Sequence, residues 1–266
     1  MDHTHPSPPS LDAVDPAQVT LVGAGPGDPE LLTLKAAKAI GRADTIFVDD
    51  LVNPDILSHA NAKARVVHVG KRGGCASTPQ AFIEKAMIAA AQRGERVVRL
   101  KGGDPFIFGR GGEEVETLQR HGITVNVIPG ITAGMAALTT LNTPLTHRDC
   151  AQGVLMVTGH ASASNAGPNW QQLAQTAAQQ RLTLVIYMGM GRAKDIAQGL
   201  IPGLSPHTPV AVVQHATLPH QRYASCTLRS LAQTIDQRAL GSPAVLIIGE
   251  VTRGLLALYE QRAWAA

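Results

Sequence analysis

Short apolar runs alternate along the chain with longer segments in which apolar residues recur at helical spacing. A brief apolar run bounded by turn residues is typical of a buried strand, and the longer period is typical of a helix. Because strands joined through helices re-enter a sheet in the same direction, the first half predicts a parallel sheet covered on both faces. Its five predicted strands are residues 19–22, 45–48, 66–69, 97–100 and 125–128.

Helix signals fill the segments between these strands. Residues 31–40 and 79–92 have helical spacing of their apolar positions. The pair Asn53-Pro54 predicts a further helix start, with Asn as the N-cap and Pro in the first turn.

The alternation stops at residues 142–149, which are polar and have no regular period, and then resumes. Later strands are predicted at 154–157, 184–187, 210–213 and 245–248, an antiparallel strand at 223–227, and helices at 170–179, 193–200, 231–238 and 252–260. We therefore expect a flexible tail over 1–16, an N-terminal α/β domain over 17–141, a linker over 142–150 and a C-terminal α/β domain over 151–266.

Composition narrows the class of protein. The 266 residues are 44% hydrophobic, which is enough for a sizeable core, and the net charge of +3 does not indicate a nucleic-acid binder. The three cysteines (Cys75, Cys150 and Cys226) are too widely spaced for a zinc site or an obvious disulfide framework. No apolar run is long enough to span a bilayer. We expect a cytoplasmic protein with no metal, membrane or nucleic-acid partner.

The first glycine-rich motif, residues 23–28, directly follows a predicted strand. It reads G-A-G-P-G-D, so Asp28 stands where a dinucleotide-binding fingerprint has its third glycine. Pro26 also removes one backbone donor from the loop. These residues disfavour a nicotinamide-dependent dehydrogenase, and the alternative is a tight structural turn.

The second motif, residues 99–114, reads R-L-K-G-G-D-P-F-I-F-G-R-G-G-E-E. Five glycines within residues 102–112 are costly to order in a simple connection, and they allow backbone groups to approach a ligand. The motif lacks the G-K-[ST] ending of a P-loop. It predicts a ligand-facing loop, with a purely structural loop as the alternative.

Charged residues follow two other predicted strands. Asp49 and Asp50 end the second strand, where a carboxylate can accept a proton, bind a polar ligand or cap a helix. Lys71 and Arg72 end the third strand on a glycine-flanked loop, which suits an anionic ligand or a solvated turn. Later motifs contain His147 and Arg148, His160, and Met188, and we expect all these strand-end motifs to line one edge of the molecule.

Taken in order, the motifs resemble the tetrapyrrole methylase superfamily over about residues 19–260. They include V-G-A-G-P-G-D-P-E-L-L-T, V-G-K-R, the 99–114 motif, P-G-I-T, P-L-T-H-R-D, T-G-H, Y-M-G-M and S-P-A. Two departures from the family pattern are Val48-Asp49-Asp50, where the flanking residues are usually Tyr and Arg, and V-Q-H-A-T at 213–217, usually V-E-N-G-T.

The resemblance implies two α/β domains of the tetrapyrrole methylase type, with the active site in the cleft between them, in a homodimer. It also implies a methyltransferase that uses S-adenosyl-L-methionine, two per substrate, to C-methylate uroporphyrinogen III at carbons 2 and 7. The product would be precorrin-2, formed via precorrin-1, for sirohaem and/or cobalamin biosynthesis. The alternatives are a methylase of the same fold acting on another substrate and a non-enzymatic ligand sensor.

The resemblance also assigns roles to residues. Asp49 would accept a proton and Lys71 would donate one, although a carboxylate could instead orient ring N–H groups. The implied cofactor contacts are Pro26, Gly102, Gly103, Asp104, Ile107, Thr132, Ala133, Met188 and Ala216. A substrate with eight carboxylates requires cations, and the further candidates are Arg72, Arg110, His147, Arg148 and His160.

Overall fold

The computed structural model describes residues 18–70, 79–160 and 167–257, and it divides into two compact units. The first unit contains the described residues up to Ala24 together with Leu32–Gly130. The second contains Gly25–Leu31 and the described residues from Ile131 onward. Within the described ranges, no helix has both the length and the apolar character needed to cross a bilayer.

The first unit contains a five-stranded sheet in which all neighbouring strands are parallel, as predicted. The strand order is β3-β2-β4-β1-β5, so β4 lies at the centre. The strands are β1 (Val19–Gly23), β2 (Thr45–Val48), β3 (Arg65–His68), β4 (Val97–Lys101) and β5 (Val125–Ile128). Each lies within one residue of its predicted position.

The helices of this unit are α1 (Leu34–Arg42), α2 (Gln80–Gln92) and α3 (Gly111–Arg120). The predicted helix 31–40 starts too early, because Thr33 is the N-cap and its hydroxyl accepts the N–H of Ala36 at 3.1 Å. The predicted start at Asn53 is confirmed, although the helix is a 3-10 helix, Pro54–His59.

Apolar layers cover both faces of the first sheet. Val22 and Ile46 pack in a cluster with Ile40 of α1. Their chain neighbours Leu21 and Phe47 belong to a second cluster, which includes residues of α2 and α3. Successive side chains of a strand point to opposite faces, so this separation confirms that the sheet is buried on both sides.

The second unit contains the remaining elements. They are α4 (Ala133–Thr139), β6 (Gly153–Thr158), α5 (Trp170–Gln179), β7 (Leu182–Tyr187), α6 (Ala193–Leu200), β8 (Pro209–Gln214), β9 (Arg222–Thr227), α7 (Leu231–Gln237) and β10 (Ala244–Ile248). The predicted helix 252–260 is confirmed over residues 253–257, which are α-helical and follow a 3-10 helix over Glu250–Thr252, and its last three residues lie outside the described residues.

The second sheet is mixed, with strand order β6-β7-β10-β8-β9. Strands β6 and β7 pair in parallel, whereas β10 runs antiparallel to β7 and β8, and β8 runs antiparallel to β9. The β8–β9 connection is too short for a crossover, so these two strands can pair only in antiparallel. The predicted antiparallel strand at 223–227 is confirmed. Strands β6, β7 and β8 still point the same way.

The division between the units falls at Gly130, earlier than the predicted linker at 142–150. Residues of that segment pack instead on the second sheet, where Leu145 and Cys150 contact a cluster that includes Val185 and Ile247. An apolar periodicity identifies strands and helices, and it does not reveal that an irregular segment is packed against one of them.

Three backbone segments meet closely where β1, β4 and β5 end. A Cβ atom added at Gly23 would lie 2.5 Å from the backbone nitrogen of Gly130 and 2.7 Å from the carbonyl oxygen of Gly103. Real Cβ contacts are longer, so glycine is required for the chain segments to approach this closely.

We expect Gly130→Ala to lower the free energy of unfolding by about 2 kcal/mol or more, because overpacking forces the backbone to shift. Its new Cβ would collide with Gly103 and would lie 2.8 Å from the carbonyl carbon of Gly23. Urea unfolding followed by circular dichroism measures the change. The control is Gly112→Ala, whose Cβ meets nothing within 4 Å. Equal unfolding midpoints for the two variants would contradict the close approach.

Candidate active site

Several predicted site residues follow the carboxyl ends of parallel strands in the first sheet. Asp49 follows β2, Gly102 follows β4 and Gly130 lies beyond β5, so they share one edge. This edge is the usual ligand side of an open parallel sheet. Lys71 and Arg72 lie outside the described residues.

A cluster of four charged side chains lies at this edge: Asp49, Arg99, Lys101 and Glu114, here called the charge cluster. The exposed fraction of the side chain is 1% for Arg99, 4% for Lys101, 0% for Glu114 and 33% for Asp49. Ionised groups are rarely buried unless they are paired, and here each cation faces two carboxylates. Asp49 is the member of the cluster that reaches solvent.

Glu114 is the buried anchor of the charge cluster. Its Oε1 accepts hydrogen bonds from Arg99 Nε at 3.1 Å, from Gln80 Nε2 at 2.9 Å and from Lys101 Nζ at 3.3 Å. Its Oε2 lies 3.2 Å from Lys101 Nζ, close enough for an ion pair but without hydrogen-bond geometry. Helix α3 thereby fixes both cations of β4.

Asp49 meets both cations from the end of β2. Its Oδ1 lies 3.1 Å from Arg99 Nη2, and its Oδ2 lies 3.8 Å from Lys101 Nζ. The two distances involve different oxygens, so the plane of the carboxylate is oriented by two partners. A half-buried carboxylate held this way can accept a proton or a hydrogen bond from a ligand.

The charge state of Lys101 depends on its neighbours. Burial lowers the pKa of its ammonium group, and the adjacent charge of Arg99 lowers that pKa further. The carboxylates of Glu114 and Asp49 act in the opposite direction and raise the pKa. The protonated form of Lys101 is thus supported by the two carboxylates it contacts.

Sequence reasoning did not assign roles to Arg99, Lys101 and Glu114, although all three lie in the 99–114 motif. The signal was present, because Arg99 and Lys101 alternate with an apolar residue at the end of a predicted strand. Alternation places both cations on the same face of the sheet. A charged pair on a strand predicted to be buried indicates a buried counter-charge.

The loop after β4 is organised by Asp104. Its Oδ1 accepts the N–H of Phe106 at 2.8 Å and its Oδ2 accepts the N–H of Gly130 at 3.1 Å. Gly103 adopts a φ of 66°, in the left-handed region that favours glycine. Ile107 lies on the exposed part of this loop. A carboxylate has about four acceptor positions, so Asp104 retains capacity for a ligand donor.

Arg110 is exposed and already has a partner in the same unit. Its Nε lies 3.1 Å from both carboxylate oxygens of Glu113, on the first turn of α3. Hydrogen bonding to Glu113 raises the pKa of Arg110, and the same bond lowers the pKa of Glu113. A ligand carboxylate would therefore have to displace Glu113 or share the guanidinium with it.

In the second unit, Tyr187 organises the start of α4. Its hydroxyl lies 2.7 Å from the Thr132 hydroxyl and accepts the N–H of Gly134 at 2.8 Å. Burial raises the pKa of Tyr187, so the phenol is neutral at ordinary pH. Ala133 is partly buried beside these groups. Sequence reasoning named Thr132 and Ala133 and missed Tyr187.

The glycine-rich turn of residues 25–31 is joined to the segment after β8. The backbone N–H of Asp28 donates to the Thr217 hydroxyl at 2.9 Å, and Ala216 beside it is buried. Pro26 is half-buried in this turn. Met188, which follows β7, has a φ of 53° and an exposed side chain.

The predicted substrate cations of the second unit do not share one edge of its sheet. His160 is exposed and lies just beyond the carboxyl end of β6. His147 forms an antiparallel bridge with Ala151, before β6 begins, and Arg148 is exposed in the same turn. The expectation that all motifs line one edge is therefore wrong for His147 and Arg148, because their turn precedes its strand.

Contacts with β7 confirm the position of this turn. The side chain of Arg181, directly before β7, donates to the carbonyl oxygen of Asp149 at 3.2 Å. The Thr183 hydroxyl donates to the carbonyl oxygen of Leu145 at 2.8 Å. The turn thus lies at the amino ends of β6 and β7, one strand length away from His160.

We expect Glu114→Gln to lower the free energy of unfolding by about 3 kcal/mol, because two buried cations lose one of their counter-charges. Urea unfolding near neutral pH measures the loss. Glu116→Gln on the exposed part of the same helix is the matched control and should stay within about 0.5 kcal/mol of the wild type. A similar midpoint for both variants would show that the buried carboxylate does not stabilise the fold.

Comparison with known proteins gives consistent matches. Residues 18–232 match the family Tetrapyrrole (Corrin/Porphyrin) Methylases. Uroporphyrinogen-III C-methyltransferase of Pseudomonas aeruginosa is 51% identical over 90% of this chain and 96% of its own length. Siroheme synthase 2 of Aeromonas hydrophila is 47% identical over 93% of this chain, which spans only 51% of that relative.

A solved structure agrees with these relatives. The crystal structure of uroporphyrin-III C-methyl transferase from Thermus thermophilus, complexed with S-adenyl homocysteine, is 40% identical. The match covers 88% of this chain and 98% of that one, with a TM-score of 0.74. Since the family match spans both units, the chain belongs to the tetrapyrrole (corrin/porphyrin) methylases.

Proposed function

We propose that this chain is a methyltransferase that moves the methyl group of S-adenosyl-L-methionine to uroporphyrinogen III. The observation that carries the proposal is the half-buried Asp49, oriented by two buried cations at the carboxyl edge of the first sheet. The names of the Pseudomonas and Thermus relatives support the substrate, and the S-adenyl homocysteine of the Thermus complex supports the methyl donor.

The first unit offers groups that fit a methyl donor with an adenosine and an amino-acid part. Gly102 and Gly103 present backbone atoms after β4, and Asp104 has acceptor capacity for hydroxyl or amino donors. Ile107 offers an exposed apolar surface. When bound, the donor supplies a methyl group from its sulfonium centre.

The second unit contains the other proposed contacts with the methyl donor. Met188 is exposed and apolar, which suits an adenine ring. The Thr132 hydroxyl is held in place by Tyr187 and retains hydrogen-bonding capacity, while Pro26, Ala133 and Ala216 are the other proposed contacts. Each set is proposed on the resemblance and on the chemistry of its groups.

The proposed reaction requires this chain to position the two substrates and to handle a proton. A pyrrole behaves as an enamine, so its nitrogen supplies electron density to the carbon that forms the new bond. One proton must then leave the tetrapyrrole, and Asp49 is the proposed acceptor, or else it orients the ring N–H groups. Lys71 is the proposed proton donor, and any proton that it gives to the tetrapyrrole is balanced by a further proton that leaves. Positioning of the two substrates for in-line methyl transfer supplies much of the remaining rate acceleration.

Substrate recognition is proposed to use cations, because uroporphyrinogen III carries eight carboxylates. Arg110 suits a carboxylate by bidentate pairing, in exchange with Glu113. The resemblance supplies further candidates for binding the substrate carboxylates, which are Arg72, His147, Arg148 and His160.

The methylated carbons, the product and the pathway are also proposed from the resemblance. Methylation at carbons 2 and 7 would use two methyl donors and give precorrin-2 via precorrin-1, which feeds sirohaem and/or cobalamin biosynthesis. The siroheme synthase name of the Aeromonas relative supports the sirohaem branch. A homodimer in the cytoplasm completes the proposal.

We expect purified protein to transfer labelled methyl groups to uroporphyrinogen III under anaerobic conditions and to yield a dimethylated product. Mass spectrometry and scintillation counting measure the number of methyl groups. Label in a different acceptor would overturn the substrate and leave the methyl donor standing. Absence of donor binding in calorimetry would overturn the methyltransferase itself.

We expect Asp49→Asn to lower turnover by about 10²- to 10⁴-fold, the usual contribution of a positioned acid or base. Binding of S-adenosyl-L-methionine should persist, because the proposed donor contacts do not include Asp49. Steady-state kinetics and calorimetry separate the two effects. Asp55→Asn, an exposed carboxylate in the same unit, is the control. Unchanged turnover in Asp49→Asn would remove this residue from the proposed mechanism.

A further inference from the structure

We infer that Lys101 is a positioning residue that holds the carboxylate of Asp49 in the orientation that turnover requires. The inference rests on the proposed function, in which the carboxylate of Asp49 meets the tetrapyrrole. Lys101 itself is a buried member of the charge cluster, so it acts on the reaction through Asp49.

The charges of the cluster balance only when Asp49 is ionised. Arg99 and Lys101 contribute two positive charges, and Glu114 and Asp49 contribute two negative ones. Without the Asp49 carboxylate, the three buried members would carry one uncompensated positive charge. Uncompensated charge in a buried setting is strongly unfavourable, so Asp49 is the partner that completes the pairing of the two cations.

The geometry gives each oxygen of Asp49 its own cation. Arg99 spans the carboxylates with Nε 3.1 Å from Glu114 Oε1 and Nη2 3.1 Å from Asp49 Oδ1. Lys101 Nζ spans them on the other side, 3.2 Å from Glu114 Oε2 and 3.8 Å from Asp49 Oδ2. The longer distance exceeds that of a hydrogen bond, so Oδ2 keeps its lone pairs for a ligand N–H.

Arg99 and Lys101 differ in their other polar contacts. Arg99 Nη1 also donates to the carbonyl oxygens of Phe47 at 3.5 Å and Leu100 at 3.3 Å, which ties it to the sheet. The polar contacts of Lys101 Nζ with described side chains are to Glu114 and Asp49. Removing Lys101 therefore changes the electrostatics at Asp49 with less damage to the sheet than removing Arg99.

Lys101 and Asp49 attract each other within the cluster. Burial lowers the pKa of Lys101, and the carboxylates of Glu114 and Asp49 act in the opposite direction. The ammonium form that these carboxylates support is the form that attracts Oδ2 of Asp49, 3.8 Å away.

The test compares Lys101→Met with the wild type in the methyl-transfer assay. Lys101→Met should lower kcat by about tenfold or more and change the KM for uroporphyrinogen III less, because Asp49 loses one of the two partners that orient it. Lys101→Arg should restore most of kcat. The dissociation constant of S-adenosyl-L-methionine should be unchanged. Lys85→Met, an exposed lysine of α2, is the control and should leave kcat unchanged.

A double-mutant cycle distinguishes positioning from a purely structural role. In the Asp49→Asn background, Lys101→Met should cause little further loss of kcat/KM, because the carboxylate it acts on is gone. Equal fold-losses of kcat/KM in both backgrounds would overturn the inference and leave Lys101 a structural residue.

The same double-mutant cycle can be measured by urea unfolding, an experiment that does not require the substrate. The double variant should lose less stability than the sum of the two single variants, because its cluster is again electrically balanced. Strict additivity of the unfolding midpoints would overturn the coupling. If the proposed function itself is wrong, a different result is expected, because the wild type would then leave uroporphyrinogen III unmethylated.

Discussion

The buried carboxylate of Glu114 is the interaction on which the candidate site depends. It holds the guanidinium of Arg99 and the ammonium of Lys101 at the end of the central strand β4, where both are buried. Those two cations in turn orient Asp49, which follows the neighbouring strand β2. A single helix residue therefore sets, through two cations, the direction of a carboxylate on a different element, and the glycine loop begins directly after Lys101.

Periodicity was sufficient to locate most elements, because alternating apolar runs and helical spacing report burial directly. Periodicity does not report strand direction. Strand β10 is as apolar as its neighbours β7 and β8, yet it runs antiparallel to both, so its direction is set by the chain connections and not by its own residues. The start of α1 was missed for a local reason, since the Thr33 cap excludes the apolar residues before it.

The candidate site was predictable to a similar degree. Strand ends identified Asp49 and the glycine loop, since the carboxyl edge of a parallel sheet is recognisable from sequence. Tyr187 was missed because its partners Thr132 and Gly134 are 55 and 53 residues away in the chain. Arg99 and Lys101 lie in the same motif as Glu114, and their alternation on a strand predicted to be buried was the signal that indicated a buried partner. His147 was misplaced because a residue near a strand in sequence can lie at either end of it.

The close approach of Gly23 and Gly130 has a consequence for sequence variation. The two positions are far apart in the chain, yet each leaves room for the backbone of the other and for the carbonyl oxygen of Gly103. A side chain at either position can be accommodated only if that backbone moves, so we expect both positions to remain glycine. Searching relatives for this glycine pair would thus identify chains that keep the same approach of the ends of β1, β4 and β5 even after the surrounding motif has diverged.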